Sequence, residues 1–377
     1  MIKKIAFLTG TRADFGKIKS LITIIEAHKD FDPYVFITGM HMMEEYGYTV
    51  LEVERCGFKN THTFSNHTCE TTMDLTLAKT LEGFSAYVKQ IEPDMIVIHG
   101  DRVEALAGAL VGSLNNILVA HIEGGEISGT IDELIRHSTS KMSHLHFVSN
   151  DLAKNRLLQM GELPESIYTI GSPDVDIMFS DTLPSLSEVK SYYQIPFGKY
   201  AVAMFHPVTT EASFIEKYAD NFVDALLQSN KNYVVIYPNN DLGSNSILKA
   251  YKKLKNRSEF RIFPSIRFEY FLILLKNADF IIGNSSAGIR EAPYYGIPSI
   301  NIGTRQKNRS IHGHILNTSY ETNDISKALR SELKKINIEK TGYGKGNSSQ
   351  LFLKKLESEN VWNLNHQKQF RDFNEGN

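Results

Sequence analysis

Three features of the sequence predict an α/β fold made of two consecutive Rossmann-like domains. Short apolar runs alternate with longer helical stretches from the first residues onward, the pattern that repeated strand-helix units and parallel sheets leave in a sequence. This rhythm breaks at residues 181–200, DTLPSLSEVKSYYQIPFGKY, a polar and proline-bearing stretch, and then restarts. A chain of 377 residues, 42% hydrophobic and 22% charged, suits two cores of ordinary domain size better than one very large core. The expected division is a first domain over 1–180, a second over 181–355 and a helical tail over 356–377, for which the first domain offers a surface to pack back on.

The expected strands of the first half are IAFLT at 5–9, YVFIT at 34–38, MIVIH at 95–99, ILVAH at 117–121, HLHFVS at 144–149 and IYTIG at 167–171. Helices fit between them, as KIKSLITIIEAHK does at 17–29. In the second half the strands are YAVAMF at 200–205, YVVIYP at 233–238, FRIFP at 260–264, DFIIG at 279–283 and PSINI at 298–302. After about residue 345 the chain turns polar and aromatic, which predicts one or two closing helices and a frayed end. Two such domains in tandem imply a cleft, and ligands of open α/β sheets collect beyond the carboxyl ends of strands.

Composition narrows the function. A formal net charge of -2 leaves no excess of cations to neutralise a nucleic-acid backbone or anionic lipid. No apolar stretch is long enough to span a bilayer, and the opening MIKKIAFLTGTRADFG runs into a motif instead of a cleavage site. The expectation is a cytoplasmic protein with neither nucleic-acid nor membrane partners. Cys56 and Cys69 read as free thiols, and no HExxH, CxxC pair or carboxylate cage marks a metal site. No cofactor is expected.

Four motifs follow strand ends. TGTRADFGK at 9–17 resembles a phosphate loop, with Arg12 and Lys17 as cations for a diphosphate. It departs from a Walker A loop because five residues separate Gly10 from Gly16 and Ile18 stands where a magnesium-binding hydroxyl belongs. An ordinary turn with solvated charges is the alternative. In HGDRVEAL at 99–106, Asp101 is a candidate catalytic acid or merely a helix N-cap. HIEGGEISGTIDELIRH at 121–137 brings Glu123, a glycine-rich loop, Asp132 and Arg136, with a helix-surface Asp132–Arg136 pair as the plain alternative. Three carboxylates, Asp101, Glu123 and Asp132, gathered at one sheet edge would perturb each other's ionisation and make acid and base forms available. In the second half, His206 follows a strand in FHPVTTE, and GNSSAG at 283–288 offers Ser285, Ser286 and N–H groups to a phosphate. Glu291 can accept both hydroxyls of a ribose, or it is simply a satisfied helix acid.

Taken in order, TGTRADFGK, HGDRVEALAGA, HIEGGEISGTIDELIRHSTSKMSH, GSPDVD, FHPVTTEA and GNSSAGIREAPYYGIPSI resemble the UDP-N-acetylglucosamine 2-epimerase family, over residues 1 to about 310. Within it the chain is similar to the hydrolysing enzymes of bacterial sialic-acid synthesis for capsules and surface glycans. The resemblance implies two Rossmann-like domains facing across a cleft, the GT-B-like architecture shared with many nucleotide-sugar glycosyltransferases, and a homodimer. It implies Asp101, Glu123, Asp132 and His206 as catalytic residues. Arg12, Lys17, Arg136, Ser285 and Ser286 are implied to bind the UDP-sugar, with Glu291 on the ribose and Phe271 stacked on uracil. Where non-hydrolysing relatives read GTRPEAIK and PEENR, this chain reads GTRADFGK and IDELIRH, so Asp132 replaces a longer Glu and leaves room for water.

The implied reaction converts UDP-N-acetylglucosamine and water to UDP and N-acetylmannosamine through 2-acetamidoglucal. Glu123 and Asp132 are expected to transfer the protons. Alternatives are a hydrolysing epimerase of a UDP-2,4-diacetamido-2,4,6-trideoxyhexose, a non-hydrolysing epimerase, a GT-B glycosyltransferase and a non-catalytic UDP-sugar sensor.

Overall fold

The computed structural model describes residues 2–67, 72–307, 315–333 and 342–372. Cys69, expected as a free thiol, and the last five residues of the expected frayed end lie outside the described residues. Cys56 is half-buried, and its thiol donates to the Glu52 carbonyl at 3.3 Å.

By internal contacts the chain divides into two compact units. The first comprises residues 1–126, 132–180 and 342–377, and the second 127–131 and 181–341. The first unit begins with β1 (Lys3–Thr9), α1 (Arg12–Glu26), β2 (Phe31–Ile37), α2 (Val50–Glu54), β3 (Asn60–Thr63), α3 (Met73–Ile91) and β4 (Met95–His99). It continues with α4 (Val103–Leu114), β5 (Leu118–Ile122), α5 (Ile131–Met142), β6 (Leu145–Val148), α6 (Asp151–Gln159), β7 (Ile167–Thr169) and α7 (Asp174–Met178). The second unit holds α8 (Leu186–Tyr192), β8 (Ala201–Met204), α9 (Ile215–Gln228), β9 (Tyr233–Ile236), α10 (Ser244–Tyr251), β10 (Phe260–Phe263) and α11 (Phe268–Lys276). After these come β11 (Ile281–Gly283), α12 (Glu291–Tyr294), β12 (Ser299–Ile302), β13 (Ile315–Thr318) and α13 (Thr322–Arg330). The chain then returns to the first unit as α14 (Ser348–Leu356) and α15 (Glu359–Trp362).

Both sheets are parallel and share one winding. The first runs β3-β2-β1-β4-β5-β6-β7 and the second β10-β9-β8-β11-β12-β13. Each reverses direction between its first strand and the fourth in its own order, at β1/β4 and at β8/β11. This switch leaves a crevice beyond the strand ends in which α/β folds bind ligands. Each unit is therefore Rossmann-like, as the alternating pattern predicts.

The first sheet is buried on both faces. Ile5, Phe7 and Val97 pack with Ile18 and Leu21 of α1 on one face, while Ala6, Leu8 and Ile98 pack with Phe84 of α3 and Ala105 and Ala109 of α4 on the other. Continuous apolar strands are the natural consequence of this double burial. In the second unit Ala203, Val235 and Ile282 pack with Phe222 and Leu226 of α9.

Four sequence expectations differ from the fold. The helix expected from Lys17 begins at Arg12, because Thr11 is its N-cap and accepts a hydrogen bond from the Asp14 N–H at 3.1 Å. The phosphate loop is thereby shortened to Gly10 and Thr11. β3 and β13 were not expected; they are edge strands whose sequences, NTHT and ILNT, carry little apolar pattern. The second unit ends near 341 and not at 355. Phe352, Leu356 and Val361 are buried in the first unit's core, so α14 and α15 both close that core. Among the described residues no helix is long and apolar enough to cross a membrane.

Candidate active site

Asp101 and Glu123 stand directly beyond β4 and β5, and Asp132 is the second residue of α5. These positions share the carboxyl edge of the first sheet. Glu123 is the best defined. Only 2% exposed, it adopts φ 63°, a left-handed conformation that costs a non-glycine residue about 1 kcal/mol or more. Its N–H donates to the Phe147 carbonyl at 2.8 Å, and its own carbonyl accepts from Arg136 at 2.8 Å. A second guanidinium nitrogen of Arg136 donates to Asp101 Oδ2. One planar fork thus ties two of the expected acids together. Arg136 pairs with Asp101, and the residue at the N-cap position of α4 is Arg102.

Each Glu123 carboxylate oxygen is held. Oε1 accepts from the Ser172 hydroxyl and lies 3.6 Å from Lys17 Nζ, while Oε2 lies 3.1 Å from His99 Nε2. Lys17 also pairs with Asp174 at 2.7 Å, and His99 Nδ1 lies 3.5 Å from Asp14. Burial alone would lower the His99 pKa, but hydrogen bonds and charge from Asp14 and Glu123 outweigh it and raise the pKa above its ordinary value. The imidazole of His99 is therefore biased toward its cationic form. Behind it, His121 donates from Nε2 to the Gly100 carbonyl at 2.8 Å and accepts at Nδ1 from Ser140 at 2.9 Å. Burial lowers its pKa to about 3, so this ring is neutral.

At the switch point of the second unit, Asn284 joins the two strand ends. Its side chain accepts from the His206 N–H at 2.6 Å and donates to the His206 carbonyl at 2.8 Å. His206 Nδ1 accepts from the Asn239 N–H at 3.1 Å, which leaves the proton of the neutral ring on Nε2. Gly283, at φ 132°, is required here, because a β-carbon would stand 1.8 Å from the Met204 carbonyl oxygen. Ser285 and Ser286 are half-buried just beyond β11, and the Ser285 hydroxyl accepts from the Ala287 N–H at 3.3 Å. Glu291 is buried at the start of α12.

Two residues expected to touch the UDP-sugar are buried among protein side chains. Lys17 is only 8% exposed and pairs with Asp174 and Glu123. Phe271 is 5% exposed and falls on the apolar stripe of α11 with Leu272, Leu274 and Leu275. Arg12 begins α1 and is half-buried. Sequence reasoning missed Asp14, His99, Ser172 and Asp174. His99 and Asp14 lie inside motifs already singled out, and Ser172 and Asp174 belong to GSPDVD. No local pattern distinguishes them from turn residues. Among the described residues no group of three or more His, Cys, Asp or Glu side chains is arranged to hold a metal.

A family model described as UDP-N-acetylglucosamine 2-epimerase matches residues 23–357. The UDP-N-acetylglucosamine 2-epimerase of Neisseria meningitidis serogroup B is 51% identical over 377 residues, 99% of this chain and 100% of that protein. A Legionella pneumophila protein named UDP-N,N'-diacetylbacillosamine 2-epimerase (hydrolyzing) is 32% identical over 357 residues, 93% of this chain and 94% of that protein. Among solved structures, Methanocaldococcus jannaschii UDP-GlcNAc 2-epimerase in complex with UDP-GlcNAc and UDP matches with a TM-score of 0.79. It is 22% identical, with 94% of this chain and 99% of that chain covered, so the likeness is one of fold.

Proposed function

Because the chain belongs to the UDP-N-acetylglucosamine 2-epimerase family, we propose that it hydrolyses UDP-N-acetylglucosamine with inversion at carbon 2, releasing UDP and N-acetylmannosamine for sialic-acid synthesis. The observation that carries this reading is the organised acidic edge of the first unit, where Arg136 joins Asp101 to the Glu123 backbone and cations hold the Glu123 carboxylate.

The C2 hydrogen has no neighbouring carbonyl to acidify it. The C1–O bond to UDP therefore loosens first, its electron pair leaving with the diphosphate, and the electron-poor C1 acidifies C2. Arg12, His206, Ser285 and Ser286 stabilise the departing diphosphate, and Glu291 receives the ribose hydroxyls. One carboxylate removes the C2 proton and a C1–C2 double bond forms. Water then adds its oxygen at C1, its surplus proton passing to a carboxylate, while a carboxylic acid returns a proton to C2 from the opposite face. Glu123 and Asp132 carry these two proton transfers, and Asp101 positions the sugar.

Hydrolysis in place of UDP-sugar release is supported by the short carboxylate at Asp132 and by the Legionella relative whose name specifies hydrolysis. That same name favours one second reading, in which the substrate is a diacetamido-trideoxyhexose nucleotide. Proton NMR in D2O with UDP-N-acetylglucosamine, and separately with the diacetamido nucleotide, tests both. C2-deuterated N-acetylmannosamine with equimolar UDP is expected. An epimerised UDP-sugar without UDP would overturn hydrolysis, and turnover restricted to the diacetamido nucleotide would establish the second reading.

A further inference from the structure

We propose that His99 is a positioning residue for this reaction, its imidazolium clamped between Asp14 and Glu123 so that Glu123 is presented as an oriented, ionised carboxylate. The inference rests on the reading of Glu123 as a proton-transfer group.

The geometry is that of a carboxylate–imidazole–carboxylate line. Asp14 Oδ1 lies 3.5 Å from His99 Nδ1, and His99 Nε2 lies 3.1 Å from Glu123 Oε2. Nε2 is at hydrogen-bond distance from Glu123 and Nδ1, which has no hydrogen-bond partner, sees Asp14 at ion-pair distance, so a ring protonated on both nitrogens places its positive charge between two carboxylates. The three residues come from separate elements: Asp14 from the first turn of α1, His99 from the last position of β4, and Glu123 from just beyond β5. His99 and Glu123 are buried, so water screens their interaction weakly.

The surrounding charges are consistent with this role. Lys17 of α1 lies 3.6 Å from the other Glu123 oxygen and is itself paired with Asp174 of α7. Arg136 of α5 faces the Glu123 carbonyl and Asp101, and is not on the carboxylate in these contacts. His121 of β5 is neutral and hydrogen-bonded away to Gly100 and Ser140. His41, neutral because burial lowers its pKa to about 4, lies within reach of the charges of Asp14 and Arg12. Lys17 and His99 thus lie on different oxygens of the Glu123 carboxylate, Lys17 at 3.6 Å and His99 at 3.1 Å.

This arrangement separates charge from shape. His99→Gln retains a hydrogen-bond donor but removes the cation, so the Glu123 carboxylate should protonate at a higher pH. Asp14→Asn removes the anion behind the ring, so His99 should lose its proton at a lower pH. The experiment is the pH dependence of kcat/KM for UDP release from UDP-N-acetylglucosamine, with C2-deuterium incorporation, for the full chain and these two variants. The expected result is an acid limb raised by about one pH unit in His99→Gln and an alkaline limb lowered by a similar amount in Asp14→Asn. A merely structural role would lower the whole profile without moving either limb. Limbs that superimpose on those of the parent protein in both variants, with Glu123→Gln inactive, would overturn the clamp alone. Full turnover in Glu123→Gln would overturn the assignment of Glu123 beneath it as well. Should His99→Gln fail to fold, the Asp14→Asn limb decides.

Discussion

Glu123 concentrates what is unusual at the scale of single residues: a left-handed backbone, a buried carboxylate and a partner on each oxygen. Glycine adopts φ 63° freely whereas alanine does not. Glu123→Gly is therefore expected to be more stable than Glu123→Ala by about 1 kcal/mol, and both are expected to be inactive. Urea denaturation of the two variants checks this, and equal midpoints with equal slopes would contradict it. Arg136 supports a second prediction. Its fork spans Asp101 and the Glu123 carbonyl, a reach that a lysine ammonium does not reproduce. Arg136→Lys should lower kcat roughly a hundredfold through misplacement of the acids, while UDP affinity measured by calorimetry stays near that of the parent. A kcat within a few-fold of the parent would contradict it. Asp101, Glu123 and Asp132 were legible from sequence as strand-end and helix-start acids. The cations that organise them were not, because Lys17 reads equally well as a solvated charge or a phosphate ligand.

Among the elements, α14 shows how a late segment completes an early core. Asp176 of α7 accepts from the N–H groups of Ser348 and Ser349 at 2.8 and 2.7 Å, satisfying the first turn of α14. Asp176→Ala should cost about 1 to 2 kcal/mol, read from chemical denaturation. The same GSPDVD segment presents Ser172 to Glu123 and Asp174 to Lys17, and the Ser172 N–H donates to the Tyr343 carbonyl at 2.6 Å. Docking of the returning chain and placement of the acid site are thus joined through one short motif. Deleting residues 342–377 removes Phe352, Leu356 and Val361 from the first unit's core. The shortened chain is expected to aggregate, and recovery of a monodisperse, fully active protein on size exclusion would refute this. Interior strands were legible because double burial makes them continuous apolar runs. β3 and β13, at the sheet edges, lack that pattern.

For the molecule as a whole, buried histidines set the acid limit of stability. Burial holds the pKa of His41 at about 4 and that of His121 at about 3, both below the ordinary value of 6.5. Below pH 6.5 the unfolded chain binds protons that these folded rings refuse, so stability falls as pH drops from 6.5 toward 4. Between pH 7 and pH 5 each ring should cost about 2 kcal/mol, measured by urea titration at the two pH values. His99 acts in the opposite sense, since its raised pKa contributes stability that is lost as pH rises through the folded value. Replacing His41 by Gln should flatten part of the acid slope, and an unchanged slope would exclude its contribution.

Locally encoded properties were readable in the chain itself: the α/β class, the interior strands, the break near residue 181 and the motifs at strand ends. Apolar period, proline placement and strand-end chemistry act over a few residues and need no knowledge of distant partners. Tertiary structure alone decided which side chains meet. Lys17 finds Asp174 at a separation of 157 residues, His99 finds Glu123 across two strands, and the final helices return to the first core. Such pairings follow from parallel crossover connections and from the packing of two sheet faces. A charged residue at a helix start carries no local mark of the partner that burial will bring to it.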